Sequence, residues 1–217
     1  MKKLVIFDLD GTLLNSIADL AASTNHALAT LGFPTHQTAS YPFMVGNGIN
    51  VLFERALPEG EKTEENIRLV RQLFVPHYDA HNADASTPYP GTIELLQTMQ
   101  AKGMQLAVAS NKYQAATEKL VAHYFPNIAF TAVLGQREGV NVKPDPVIVF
   151  DILRMADVAK EKTLYVGDSG VDMQTAIRAG VISCGVTWGF RPRAELEAHN
   201  PDFIVDMAEE ILTIALQ

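Results

Sequence analysis

The stretch "VIFDLDGTLLNS", Val5 to Ser16, carries a short apolar run directly into two aspartates, Asp8 and Asp10. A continuous apolar run of this length is typical of a strand buried on both faces of a parallel sheet. Comparable runs recur as "QLAVAS", "FTAVLG", "TLYVGD" and "VISCGVT", and helical patterns separate the later ones, over residues 113–124, 145–158 and 172–179. This alternation predicts an α/β fold: a Rossmann-like, doubly wound parallel sheet with helices on both faces.

A long insertion follows the first strand, because residues 15–85 separate that strand from the next helix–strand pair, which is far more chain than a crossover requires. Apolar residues at helical spacing predict helices over residues 17–31, 49–57 and 61–81. The stretch "ADASTPYPG" is rich in proline and small residues and returns the chain to the sheet. The predicted domains are therefore an α/β core of residues 1–14 and 86–217 and a helical cap of residues 15–85.

The composition narrows the class of partner. The chain has 217 residues, is 47% hydrophobic and carries a formal net charge of -8 without any basic run, so we expect no nucleic-acid partner. Its longest apolar segments are too short for a signal peptide or a membrane span, so we expect no membrane partner and a cytoplasmic location. The single cysteine, Cys184, cannot form an internal disulfide. We expect a monomer or a homodimer.

Polar residues follow four of the predicted strands. Because ligands bind beyond the carboxyl ends of parallel strands, we expect these residues to share one rim of the sheet. They are Asp8, Asp10, Gly11 and Thr12 after the first strand, Ser110 and Asn111 after the second, Lys143 in the loop after the third, and Asp168 and Asp172 after the fourth. Carboxylates about 4 Å apart repel by roughly 4 kcal/mol per pair at an effective dielectric near 20. The cluster therefore needs a cation, and oxygen ligands favour Mg²⁺.

Such a rim suits phosphoryl transfer, in which charge on the transferring group must be stabilised. Asp8 is ionised at neutral pH and can attack phosphorus without a base, provided that Mg²⁺ and Lys143 offset the repulsion between two anions. Asp10 can protonate the leaving alkoxide and later deprotonate the water that breaks the acyl phosphate. Gly11 lets the backbone approach the phosphate. We therefore expect a small phosphorylated substrate and an aspartyl-phosphate intermediate.

Four short motifs resemble the signature of the haloacid dehalogenase superfamily of phosphatases. They are "DLDGT", a strand ending at Ser110, "KPDP" and "GDSGVD", in that order along the chain. The resemblance implies a phosphoric monoester hydrolase with Asp8 as nucleophile and Asp10 as acid and base. It further implies the following ligands: Gly11, Thr12, Ser110, Asn111 and Lys143 for the phosphate, and Asp8, Asp168 and the backbone carbonyl of Asp10 for Mg²⁺. Asp172, one helical turn beyond Asp168, suits a role behind the metal, holding Lys143 or a bound water.

The substrate is predicted from the insertion. The segment "VGNGINVLFERAL" resembles the cap of phosphoglycolate phosphatases, which makes 2-phosphoglycolate the best single prediction. Gly46, Asn47 and Gly48 can present amides to a small carboxylate at a helix start, although a plain turn explains them equally well. Asn15 departs from the pattern, since many relatives carry aspartate there.

Several alternatives stay open. The same motifs are compatible with a pyrophosphatase, a sugar-phosphate phosphatase or a β-phosphoglucomutase-like phosphotransferase. A receiver-like signalling module also groups aspartates, a hydroxyl and a lysine, but Asp10 and the cap count against it. His77 and His81 lie four residues apart, and without a third ligand we interpret them as a solvated helix face rather than a zinc site. Trp188 and Phe190 are interpreted as packing residues.

Overall fold

The core is a six-stranded parallel sheet in the computed structural model, which describes residues 1–217. The strands run in the order β5-β4-β1-β6-β7-β8. Their bounds are β1 Leu4–Phe7, β4 Gln105–Tyr113, β5 Phe130–Gln136, β6 Thr163–Gly167, β7 Ile182–Val186 and β8 Phe203–Val205. β1 lies between β4 and β6, and all four of its residues are fully buried. The predicted strand that ends in Asp8 is thus at the centre of the sheet.

Helices cover both faces of this sheet, as the alternation predicted. They are α4 Thr92–Ala101, α5 Gln114–Tyr124, α6 Val147–Ala156, α7 Gly170–Ala179, α8 Arg193–Glu197 and α9 Ala208–Leu216, with a short 3-10 helix at Lys160–Lys162. Successive residues of β1 point to opposite faces, because side chains alternate along a strand. Val5 and Phe7 pack in one apolar cluster with α4, α5 and α9, whereas Leu4 and Ile6 pack in another with α6 and α7. The doubly wound α/β fold is confirmed.

A helical insertion follows β1. Its elements are β2 Leu14–Asn15, α1 Ile17–Thr30, a 3-10 helix Thr38–Phe43, α2 Ile49–Ala56, α3 Glu64–His81 and β3 Thr87–Pro88. The helices bury a separate apolar cluster that includes Leu28, Phe53, Phe74 and Tyr78. None of the helices of the chain has both the length and the apolar character needed to cross a membrane. The insertion therefore has its own hydrophobic core beside that of the sheet.

The two ends of the insertion lie side by side. β2 and β3 pair antiparallel, with Leu14 opposite Pro88 and Asn15 opposite Thr87. The buried carboxylate of Asp19, in the first turn of α1, accepts hydrogen bonds from the backbone of Ala85 and Ser86 and from the Ser86 hydroxyl, the last at 2.6 Å. One side chain thus ties the outgoing chain to the returning chain.

Some predicted bounds were wrong. β4 continues past residue 110 to Tyr113, with an irregularity in its pairing to β5 between Ala109 and Tyr113, so α5 begins only at Gln114. α6 is shorter than predicted because Pro146 precedes it and Asp157 ends it with a left-handed φ of 52°. α7 begins at Gly170, two residues early, behind the cap Ser169. The three-residue strand β8 was not predicted.

Candidate active site

The predicted rim residues meet at the carboxyl end of the sheet. Asp8 follows β1, Asp168 follows β6 and Asp172 lies in the first turn of α7, and one oxygen of each carboxylate lies within 4.8 Å of the others. The ammonium of Lys143 lies 2.9 Å from Asp8 Oδ1 and 2.7 Å from Asp172 Oδ1, and it donates to the carbonyl of Ala109 at 2.9 Å. Four groups from three separate parts of the chain therefore form one buried charge cluster.

Burial sets the electrostatics of this cluster. Burial raises the pKa of Asp8 to about 7 against the opposing effect of Lys143, and it also raises the pKa of Asp168 well above its ordinary value, with Asp172 and Asp8 adding to the rise. For Lys143 burial acts against the charge, but Asp172 and Asp8 hold the pKa of its ammonium well above the ordinary value. Three carboxylates share a single lysine here, so the site would gain from a further cation.

The carboxylates differ in how far their oxygens are already occupied. Asp172 Oδ1 accepts from Lys143 and from the Tyr165 hydroxyl at 3.2 Å, and its Oδ2 accepts from the backbone and hydroxyl of Ser169 at 3.2 and 2.6 Å. By contrast, Asp8 Oδ1 is buried and has no partner with hydrogen-bond geometry. Each oxygen of Asp168 accepts one hydrogen bond, from Phe190 or Thr12, whereas each oxygen of Asp172 accepts two. Asp8 and Asp168 therefore keep lone pairs for a hard cation, and Asp172 does not.

The segment Trp188–Phe190 holds Asp168 in place, which sequence reasoning missed. The backbone N–H of Phe190 donates to Asp168 Oδ2 at 2.7 Å, and the Trp188 indole donates to the carbonyl of Thr12 at 3.1 Å. Gly189 lies against the same aspartate so closely that a Cβ there would sit 2.2 Å from the Cβ of Asp168. Trp188 does pack against the apolar core of the sheet, but it is the backbone N–H of Phe190 that holds the carboxylate.

Glycine is also required at position 11. Gly11 has a φ of +88°, and a Cβ there would lie 2.4 Å from Asp168 Oδ2. The turn after β1 therefore approaches the carboxylate from one side while Gly189 approaches from the other. The hydroxyl of Thr12 donates to Asp168 Oδ1 at the long distance of 3.4 Å.

Both oxygens of Asp10 are engaged. Ser16 Oγ donates to Asp10 Oδ1 at 2.6 Å, and Lys112 Nζ lies 2.8 Å from Asp10 Oδ2. Lys112 is almost fully buried, and burial acts against its charge, but Asp10 holds the pKa of the ammonium above its ordinary value. Sequence reasoning missed Lys112 because it ended the strand at residue 110. The available signal was alternation, since Lys112 stands two residues after Ser110 in the same strand.

The sequence model described as haloacid dehalogenase-like hydrolase matches residues 5–186, most of the chain. The chain belongs to this family. In this hydrolase the resemblance found in the four motifs is therefore confirmed.

Curated relatives cover nearly all of the hydrolase. A phosphoglycolate phosphatase from Haemophilus influenzae strain 86-028NP is 34% identical over 98% of this chain and 97% of its own length. A phosphoglycolate phosphatase from Pseudomonas putida KT2440 is 32% identical over 98% of this chain and 79% of its own length. The crystal structure of a predicted phosphoglycolate phosphatase from Haemophilus somnus 129pt is 32% identical, superposes with a TM-score of 0.91, and matches 98% of this chain and 97% of its own.

A cleft separates the rim of the hydrolase from its insertion. Its core side is lined by Asp8, Asp10, Ser110, Asn111 and Lys112, and its other side by Leu20, Val45, Gly46, Gly48, Ile49 and Leu52. The only basic side chain in this lining is Lys112. The core side of the cleft thus carries the carboxylates of Asp8 and Asp10, and the side of the insertion is mostly apolar.

Of the residues predicted to contact the substrate from the insertion, two line the cleft and one does not. Gly46 and Gly48 line the cleft, but both have a positive φ, +113° and +86°, which a turn accounts for. The side chain of Asn47 instead accepts from Arg55 at 2.9 Å and does not line the cleft. Asn111 donates to the carbonyls of Gly46 and Lys143, so both of its amide hydrogens are taken, and its contact with phosphate stays a prediction.

The two histidines singled out in the sequence lie away from the cleft. His77 stacks on His26 at 4.1 Å between ring centroids and lies 4.5 Å from the ring of His81. His81 is exposed and pairs with Asp84 at 2.8 Å, and the Ser23 hydroxyl contacts His77 Nδ1 at 3.0 Å. These contacts tie α3 to α1 within the insertion.

Proposed function

We propose that this hydrolase is a Mg²⁺-dependent phosphatase that hydrolyses 2-phosphoglycolate through an aspartyl-phosphate on Asp8. The observation that carries the proposal is the buried cluster in which Lys143 joins Asp8 to Asp172, with Asp168 alongside and Asp10 at the same rim. Transfer of a phosphoryl group to a carboxylate needs an ionised nucleophile and cations beside it. Burial raises the pKa of Asp8 to about 7, and Lys143 together with bound Mg²⁺ would favour its ionised form.

The first half of the reaction transfers phosphorus to the protein. A carboxylate oxygen of Asp8 forms a bond to phosphorus as the ester P–O bond breaks, and Asp10 donates a proton to the departing alkoxide oxygen. Lys143 and the hydroxyl of Ser110 bind phosphate oxygens and stabilise the charge that develops on them. The products of this half are an alcohol and phosphorylated Asp8.

The second half returns the protein to its starting state. Asp10, now a carboxylate, takes a proton from water while the water oxygen forms a bond to phosphorus. The acyl P–O bond then breaks, which releases inorganic phosphate and restores the Asp8 carboxylate. Asp10 therefore serves as acid and then as base, and its position beside Asp8 at the cleft suits both steps.

The donor set fits Mg²⁺. Asp8, Asp168 and the backbone carbonyl of Asp10 would hold the ion, and the ion would supply positive charge that offsets repulsion between Asp8 and the phosphate. Asp172 would not bind it directly, because both of its oxygens are occupied. Its part is to hold Lys143, at 2.7 Å, in reach of the nucleophile.

The helical insertion is proposed to act as a cap over the cleft, with the predicted bounds of residues 15–85. Its apolar lining residues, among them Leu20, Ile49 and Leu52, would exclude bulk water from the acyl phosphate. The separate apolar cluster of the insertion and the pairing of β2 with β3 support this division. We further propose a cytoplasmic monomer or homodimer that acts on a small molecule and has no nucleic-acid partner.

The choice of substrate rests on the relatives named phosphoglycolate phosphatases, at 34% and 32% identity over nearly the whole chain. The crystal structure of CbbY from Rhodobacter sphaeroides in complex with phosphate superposes with a TM-score of 0.78 at 23% identity, which shows the shared fold alone. Pyrophosphatase, sugar-phosphate phosphatase and phosphotransferase activities are therefore outcomes of the test below.

The test is phosphate release from 2-phosphoglycolate, pyrophosphate and a set of sugar phosphates, each with Mg²⁺ and with EDTA. We expect release that requires Mg²⁺ and favours 2-phosphoglycolate by at least tenfold in kcat/KM. Faster release from another compound would replace the proposed substrate. Transfer of phosphate to a sugar hydroxyl, detected by product analysis, would replace hydrolysis. A long-lived phosphoprotein without turnover would indicate a signalling module.

A further inference from the structure

The ammonium of Lys112 is a buried charge of the cleft that has few acceptors. Its side chain is 3% exposed, yet its one ionic partner is Asp10, at 2.8 Å. Tyr78 is its other neighbour, with the ring centroid 4.7 Å from the ammonium and a buried hydroxyl that makes no hydrogen bond of standard geometry. An ammonium carries three N–H donors, and burying it without acceptors is unfavourable. Lys112 therefore has donor capacity that the protein alone does not use.

Lys143 provides an internal comparison. It is buried to the same degree, and its ammonium has three oxygen partners, on Ala109, Asp8 and Asp172. Both lysines lie near the carboxyl end of the sheet, so burial alone does not explain why one is saturated and the other is not. The difference is in their neighbours, since Lys143 lies between Asp8 and Asp172, whereas Lys112 lines the cleft with Asp10 as its one carboxylate.

No other cation lines the cleft. Arg191 donates to the carbonyl of Val45 at 2.9 Å, and Arg55 donates to the carbonyl of Met44 at 3.1 Å and to Asn47. These guanidinium groups hold the loop at the edge of the insertion and are turned to its backbone. Beyond the proposed phosphate site at Asp8 and Lys143, a negatively charged group that enters the cleft therefore meets one basic side chain, Lys112, and faces apolar residues on the side of the insertion.

The contact between Lys112 and Asp10 defines which part of a substrate the Lys112 ammonium can contact. Asp10 is proposed to contact the ester oxygen that leaves, and the Lys112 ammonium touches the Asp10 carboxylate. A substituent attached one methylene from the ester oxygen would lie beside both groups. In 2-phosphoglycolate that substituent is a carboxylate, which forms charge-assisted hydrogen bonds with an ammonium.

We propose that Lys112 is a specificity-determining residue that binds a carboxylate adjacent to the phosphate ester and so selects acidic over neutral phosphate monoesters. This inference rests on the proposed phosphatase function and deepens it. Lys112 donates to the substrate carboxylate through the hydrogens that Asp10 does not take, while Asp10 remains its partner on the other side. The substrate carboxylate thereby supplies binding energy from a part of the substrate that does not react.

The experiment compares 2-phosphoglycolate with 2-hydroxyethyl phosphate, which is close in size and has a neutral tail. Initial rates at saturating Mg²⁺ give kcat and KM for the wild type, Lys112→Met and Lys112→Arg. Lys102→Met is the control, because Lys102 is an exposed lysine that precedes β4. We expect Lys112→Met to lower kcat/KM about 10- to 100-fold more for 2-phosphoglycolate than for the neutral ester, mainly through KM. Lys112→Arg keeps the charge and should restore part of the difference.

A second readout does not need turnover of the acidic ester. Glycolate, the expected product, should inhibit hydrolysis of 2-hydroxyethyl phosphate by the wild type, and Lys112→Met should weaken that inhibition at least tenfold. Thermal melting of each variant shows whether it is folded, and Lys112→Gln replaces Lys112→Met if the latter does not fold.

The outcomes separate the inference from the function on which it rests. A wild type that hydrolyses other phosphates but does not prefer 2-phosphoglycolate overturns the proposed substrate before any variant is considered. A wild type that prefers it, with a Lys112→Met variant that keeps the preference, overturns the role of Lys112 alone. Equal losses on both esters would also overturn it, because they would mean that Lys112 acts only by positioning Asp10.

Discussion

Gly189→Ala tests whether the backbone at Trp188–Phe190 controls the position of Asp168. The added Cβ would lie 2.2 Å from the Cβ of Asp168, and 2.5 Å from both Asp168 Oδ2 and the carbonyl oxygen of Gly11. Carbon does not approach these atoms closer than about 3 Å, so one side must move by nearly 1 Å. The φ of Gly189 is not in the left-handed region, and the effect is therefore steric rather than conformational.

The expected magnitudes follow from that displacement. Overpacking of a closely packed site destabilises by about 1 to 3 kcal/mol, which for a chain of this size lowers the Tm by about 2 to 12 °C. A misplacement of about 1 Å near the chemistry lowers activity by about 100-fold. Because Asp168 is proposed to hold Mg²⁺, the loss should be accompanied by a higher Mg²⁺ concentration at half-maximal rate.

Gly185→Ala is the matched control. Gly185 lies in β7, close in sequence, and the nearest atoms to its added Cβ would be those of the Leu196 side chain, the closest at 3.1 Å, which needs a shift of only a few tenths of an ångström. We expect a small change in Tm and wild-type kcat/KM for this variant. Thermal melting and phosphate release as a function of Mg²⁺ compare the two. A folded Gly189→Ala variant with wild-type kcat/KM and Mg²⁺ dependence would refute the idea that this backbone fixes the site.

Three further substitutions test the charge cluster and the junction of the insertion. Asp8→Asn should abolish phosphate release with little change in the Tm, because relief of the burial that raises the pKa of Asp8 to about 7 offsets the lost ion pair with Lys143; retained turnover would exclude Asp8 as nucleophile. Asp172→Asn should weaken the ion pair with Lys143 and lower the free energy of unfolding in urea by about 3 kcal/mol, with a rise in KM, and an unchanged midpoint would count against the pair. Asp19→Ala should destabilise by about 2 to 4 kcal/mol, because the backbone N–H groups of Ala85 and Ser86 lose a buried charged acceptor; equal hydrogen-exchange protection at these two positions in the variant would contradict this.

Much of the site could be predicted because parallel strands deliver their carboxyl ends to one edge. Asp8, Asp168 and Lys143 each follow a strand that is readable from its apolar run, and the topology then brings them together without further information. Recognising the strands was therefore sufficient to recognise the cluster, even where strand bounds were off by up to three residues.

The residues that were missed either lie beyond the predicted end of a strand or contact the site through the backbone from a distant part of the sequence. Lys112 belongs to a strand that loses its apolar character at Ser110 but continues to Tyr113, so its orientation into the cleft follows only from the ladder with β5. The N–H of Phe190 reaches Asp168 through backbone geometry, which no side-chain pattern reports. β8 has three residues, too few for a period of two to be visible.

The pairing of β2 with β3 has a consequence for how such a molecule can diversify. Because Asn15 and Thr87 are directly opposite one another, the two chain connections between the core and the helical insertion lie side by side at one point. Its length and shape can therefore change without altering the threading of any strand in the catalytic layer. A different insertion joined at these two connections would place new side chains opposite the same catalytic groups. Substrate preference could therefore change in evolution while the reaction type stays the same.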